Sequence, residues 1–161
     1  MRAGLHRGLG LLAIALGVPL GASAQRSSGP RMEGRVEVIA ARHTTVQAGG
    51  GFNVAAGTYV RWGIVAAAGA TRRDDRTVAT WRADAVVRFL LDPYRESPRG
   101  LYGLAGVSAM DDGSRDVEPA ILIGVGLEGR ARGAAIPSVE LALGGGARVA
   151  VVLRRTRPSR R

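Results

Sequence analysis

Residues 78–93, VATWRADAVVRFLLDP, set Arg82, Asp84 and Arg88 inside a run that is otherwise apolar. No other stretch of the chain constrains the fold so tightly. Wound as a helix at about 100° per residue, it would gather Trp81, Ala85, Val86 and Phe89 on one arc and drop Arg82 into the middle of that arc, where an unpaired charge is costly. Read with a period of two, the conflict vanishes. Ala79, Trp81, Ala83, Ala85, Val87, Phe89 and Leu91 share one face, and Thr80, Arg82, Asp84 and Arg88 share the other. The segment reads as a strand.

The same parity recurs along the chain. Val36 and Val38 alternate with Arg35 and Glu37; Val60, Trp62, Ile64 and Ala66 oppose Arg61, Gly63 and Val65. Ile121, Ile123, Val125 and Leu127 oppose Leu122, Gly124, Gly126 and Glu128. Val139 and Leu141 flank Glu140, and Val149, Val151 and Leu153 alternate with Arg148 and Arg154. Eight such stretches are expected, at roughly 34–42, 45–55, 58–71, 77–91, 100–110, 117–128, 137–145 and 147–156. Turn chemistry separates them: TRRDDRT, DPYRESPRG, DDGSRD, GRARGAAIP and the run Gly144–Gly146. Connections this short predict antiparallel neighbours, hence an all-β, eight-stranded up-and-down barrel or sandwich.

The chain opens with Arg2, His6 and Arg7, an apolar run over residues 9–22, and the small residues Ala22-Ser23-Ala24. That is the pattern of a cleaved signal peptide ending near Ala24, and it predicts an exported protein. The expected organisation is a signal peptide at 1–24, a flexible leader at 25–33, a barrel domain at 34–156 and a basic tail at 157–161. With no cysteine in 161 residues, an exported domain has no disulfides and must bury apolar surface in a core or against lipid. The net charge of +10 is carried by arginine alone, since the chain has no lysine. Such a bias reads as a compositional habit, and nucleic acid is not an expected partner of an exported chain.

Two architectures put an apolar face opposite a charged one. A soluble barrel or sandwich turns the apolar face inward, and could bind a small apolar ligand there. A transmembrane barrel inverts the arrangement. Three features favour the inverted form. The second face mixes both signs, with Arg61, Arg82, Arg88 and Arg148 against Glu37, Asp84, Glu128 and Glu140, as charges sharing a narrow lumen require. Glycines at 63, 69, 124, 126 and 144 share that parity and would leave room for arginine side chains. The stretches also match the ~9–11 tilted residues that cross a bilayer.

On these residues the chain resembles the small outer-membrane β-barrels of double-membraned bacteria, of the OmpA/OmpX-like eight-stranded class, over roughly residues 34–156. The resemblance implies a monomeric closed barrel embedded in outer-membrane lipid, both termini in the periplasm, with a structural or adhesive role. An ion-pair network of Arg61, Arg82, Asp84, Arg88, Glu37, Glu128, Glu140 and Arg148 would then fill the lumen. Tyr59, Phe89 and Tyr102 are expected at one rim as a partial aromatic girdle. The arginines at 154–161 could meet an anionic surface.

Catalytic chemistry has little to work with. Beyond the leader the only histidine is His43, in a polar turn, and without cysteine the softer metals lack ligands. DDGSRD lacks the ligand spacing of a calcium loop, and GGGF at 49–52 precedes no helix that could make it a phosphate loop. The expectation is a non-enzymatic protein with no cofactor and no metal.

Overall fold

A computed structural model describes residues 29–94, 99–111 and 117–155. Eight strands follow in order: β1 (Arg31–Ala40), β2 (Thr44–Ala55), β3 (Val60–Arg73), β4 (Arg76–Leu90), β5 (Gly100–Asp111), β6 (Glu118–Glu128), β7 (Ala135–Leu143) and β8 (Ala147–Arg155). Each pairs antiparallel with its sequence neighbour, and β8 pairs with β1 to close a barrel. This is the predicted meander, with strand bounds within three residues of expectation.

The register fixes the barrel's shape. From Arg31 the cross-strand ladder runs through Asn53, Gly63, Val86, Gly106 and Leu122. The remaining registers carry it to Ala41, ten residues further along the first strand's direction. Eight strands with that displacement tilt by about 40° to the barrel axis, in the range that lets side chains fill the interior.

Glycines serve this curvature in two ways. Gly63 lies against Arg88, where an added Cβ would come within 3.0 Å of Nη1, so it makes room for a long side chain as expected. Gly69, Gly106 and Gly124 do something else: a Cβ on any of them would collide with the backbone of the adjoining strand. These positions bend the sheet. At the β3–β4 connection the chain reverses through Asp74 and Asp75 alone, both at positive φ (46° and 61°). Two successive left-handed residues make a type I′ turn, the geometry that suits the twist of the flanking strands.

Facing follows parity throughout. Every strand sends large apolar residues outward, among them Val36, Phe52, Trp62, Trp81, Val107, Ile123, Leu141 and Val151. Trp81 is 42% exposed on the outer wall while Arg82, one residue on, is 1% exposed inside. One boundary differs from expectation. β1 begins at Arg31, so Met32 and Glu33 belong to the barrel and not to a leader; Glu33 is drawn in by buried ion pairs. The expected signal peptide and basic tail, and residues 112–116 of DDGSRD, lie outside the described residues.

Candidate functional site

The lumen is a site in the sense that its residues do something other than pack. Among the described residues six arginines point inward (Arg35, Arg61, Arg82, Arg88, Arg148 and Arg154), and five carboxylates meet them: Glu33, Glu37, Asp84, Glu128 and Glu140. Arg61, Arg82, Asp84, Arg88, Glu37, Glu128, Glu140 and Arg148 each make an ion pair in this network.

Its centre was not among them. Arg154 uses every guanidinium nitrogen: Nε pairs with Glu33 at 3.2 Å, Nη1 with Glu128 at 2.7 Å and Ser138 at 3.0 Å. Nη2 donates to Glu140 at 2.7 Å and to the Tyr102 hydroxyl at 2.9 Å, and the guanidinium lies 5.0 Å from the Tyr102 ring centroid. Its assignment to a basic cluster at 154–161 is corrected accordingly; strand parity, which had already put it beside Arg148, was the better signal. Glu140 gathers Arg35 at 2.7 Å, Arg88 at 3.1 Å and the Tyr102 hydroxyl at 2.8 Å as well. Glu33 pairs with Arg88 at 2.9 Å and accepts from Asn53 at 3.3 Å, while Arg61 reaches Glu128 at 2.8 Å.

This cluster draws a side chain from each of the eight strands. Glu33 and Arg35 come from β1, Asn53 from β2, Arg61 from β3, Arg88 from β4, Tyr102 from β5, Glu128 from β6, Ser138 and Glu140 from β7, and Arg154 from β8. Glu33 and Arg154 are also direct cross-strand partners where β8 meets β1, so their ion pair latches the seam.

A second cluster lies further along the lumen. Arg82 donates to Glu37 through Nε at 2.9 Å and ion-pairs with Asp84, and Arg148 sits 3.5 Å from Asp84 with Ser108 at 3.0 Å. Arg35, 3.4 Å from Glu37, bridges the two clusters. Arginine's planar, multidentate fork is what lets so few groups link into one buried network.

Tyr102 corrects a further expectation. It is fully buried in the lumen, because its parity is that of Leu104 and not of Leu101. Gly126 on the neighbouring strand provides its seat; a Cβ there would collide with the ring. The rim carries Tyr59 stacked on Phe89 at 6.0 Å and edge-on to Tyr94 at 6.4 Å. Phe52 and Trp62 face outward near the same end.

Between the clusters the lumen keeps a cavity of about 10 Å³, bordered by Arg35, Asp84, Arg88, Glu140 and Arg148. That is the room of about one water molecule. That space between the clusters is too small for the small apolar ligand of the alternative expectation. His43 stands in the turn between β1 and β2, at the rim opposite the termini. Among the described residues no group of three or more His, Cys, Asp or Glu side chains could hold a metal ion.

No family model matches the chain, and no curated protein matches it. Among solved structures it is similar to one from the de novo design of transmembrane β-barrels, at a TM-score of 0.48 and 16% identity, covering 78% of this chain and 93% of that one. It is also similar to the solution NMR structure of the de novo designed TMB2.3, at 0.46 and 17%, covering 81% and 98%.

Proposed function

We propose that this chain is a monomeric outer-membrane β-barrel, without enzymatic activity, whose role is borne by the barrel body. The observation that carries the reading is the inversion at Trp81 and Arg82, repeated on every strand. A soluble domain of this size would expose its charges and bury its valines, isoleucines and leucines; here the reverse holds. An apolar wall that surrounds the whole molecule has one solvent that suits it, a lipid bilayer. The 11 residues of β6, at about 3.3 Å each and a tilt near 40°, rise about 27 Å, close to the ~25 Å apolar band of such barrels.

Structural work is favoured over adhesion by the loops at the rim opposite the termini. Three of its connections span only residues 41–43, 74–75 and 144–146, too short to build a recognition surface. The filled lumen favours a closed body over a pore.

The test is expression of the full chain in a double-membraned host, followed by fractionation and electrophoresis with and without boiling. Sedimentation with the outer membrane and a mobility that changes on heating are the expected results. Recovery as a soluble monomer in a detergent-free periplasmic extract would overturn the reading.

A further inference from the structure

The two rims differ in charge. Among the described residues, the rim that carries the termini holds Arg31, Arg99, Arg130, Arg132 and Arg155 against Asp92. The opposite rim is balanced, with Arg42, Arg72, Arg73 and Arg76 against Asp74, Asp75, Asp111 and Glu118.

Three of the terminal-rim arginines share a built seat. Arg99, Arg130 and Arg132 border an open hollow of about 500 Å³, together with Gly129 and Pro137. The β6–β7 connection that presents two of them is ordered by its own ladder. Gly129 N–H donates to the Pro137 carbonyl at 2.8 Å, and Arg132 and Ala135 exchange bonds of 2.8 and 3.2 Å. Beneath this seat the outer wall is apolar and continuous: Leu101, Leu127, Val139 and Val151 are successive cross-strand partners on β5, β6, β7 and β8, all outward-facing. Arg99 is two residues beyond Leu101 and Arg130 three beyond Leu127, so their backbone lies about 7–10 Å along the chain from that apolar row.

A cationic hollow directly over an acyl-compatible surface matches an amphiphile with a phosphate at its head. We propose that Arg99, Arg130 and Arg132 bind the headgroup of an anionic glycerophospholipid in the leaflet that meets the terminal rim. Arginine forks suit phosphate oxygens bidentately. The aromatic cluster of Tyr59, Phe89 and Tyr94 lies on the same rim and would hold it to the membrane interface. The inference rests on the membrane reading above and adds a lipid preference and an orientation to it.

The full chain would be refolded into phosphatidylcholine vesicles doped with spin-labelled phosphatidylglycerol or spin-labelled phosphatidylcholine, and the bound fraction read by electron paramagnetic resonance. An arginine near an anionic surface strengthens association by about five-fold, so R99Q/R130Q/R132Q should lower the phosphatidylglycerol preference on the order of a hundred-fold. The matched opposite-rim variant R42Q/R73Q/R76Q should leave it unchanged. A heat-modifiable band verifies the barrel in each case, and if the triple variant does not insert, R132Q alone should cost about five-fold. Equal binding of the two lipids by the wild type, or equal loss in both rim variants, would overturn the headgroup site while leaving the barrel's insertion intact. Failure of the wild type to insert in phosphatidylcholine alone would instead remove the membrane reading, and this inference with it.

Discussion

Asp84→Asn removes one buried charge at nearly constant volume, and turns one of the two acceptor oxygens into an N–H donor. Asp84 is 3% exposed and serves two arginines. Arg82 keeps Glu37 after the change, through the 2.9 Å bond to its Nε. Arg148 does not fare as well. Asp84 is the carboxylate it pairs with, at 3.5 Å; what remains is the Ser108 hydroxyl at 3.0 Å and the longer-range attraction of Glu37. The lumen moves from six arginines and five carboxylates to six and four. Removing one partner of a buried pair costs ~3–5 kcal/mol. The retained Ser108 bond and the second acceptor on Arg82 put D84N at the lower end, about 3 kcal/mol. With a denaturant slope of about 2 kcal/mol per molar, the urea midpoint should fall by ~1.5 M. The assay is urea unfolding of the barrel in lipid vesicles, followed by the fluorescence of Trp62 and Trp81, both on the outer wall. Adding Arg148→Met removes the stranded charge, so D84N/R148M should recover about 2 kcal/mol of the loss. A loss under about 1 kcal/mol, the scale of a solvated surface pair, would refute the buried-network account. So would a double variant no more stable than D84N.

Three other substitutions probe separate parts of the barrel. Gly126→Ala should cost about 1–3 kcal/mol in the same unfolding assay, since its Cβ meets the Tyr102 ring, and Tyr102→Leu in the same chain should recover part of it. Ile123→Arg, at the midpoint of β6 on the outer wall, should cost ~2–4 kcal/mol in vesicles; no effect would mean that this surface does not meet lipid. Replacing Asp74-Asp75 by Asn-Gly should stabilise the β3–β4 hairpin by about 0.4–1 kcal/mol, because both positions have positive φ, and a lowered urea midpoint would contradict the type I′ assignment.

The strands were legible because a period of two admits little else. Arg82 cannot sit on a helical arc with Phe89 and Trp81, and the separators are rich in residues that turn the chain. Where expectation missed, tertiary partners had overridden local composition. QRSSGPRME reads as a polar leader, yet Glu33 is held inside by Arg88 and Arg154, whose strands lie far along the chain. By type Tyr102 belongs with the rim aromatics, although its parity with Leu104 puts it inside. By proximity Arg154 belongs with the arginines at 154–161, although its parity with Arg148 puts it inside. In all three the alternation carried the correct answer, and composition pulled away from it.

What alternation alone left open is which face is the lumen, because exchanging inside and outside preserves the pattern. Curvature breaks that symmetry. The concave side of a small closed barrel offers less room per residue than the convex side, so the inner face must carry the smaller mean volume. Gly49, Gly51, Gly63, Gly69, Gly106, Gly124 and Gly126 all lie on the charged parity, with Ala67, Ala142 and Ala150. Trp62, Trp81, Phe52 and Phe89 lie on the other with most of the valines, isoleucines and leucines. A lumen built from that second set would be overfilled, while the charged face is small enough to close around its arginines. The glycines that read as spacers for arginine therefore carry a stronger statement: Gly69, Gly106 and Gly124 let each strand lie against the next at the curvature eight strands demand. Once that face is concave, its charges are buried and must be matched in sign. Six arginines against five carboxylates from six strands, joined by Asn53 of β2 and Tyr102 of β5, are the consequence.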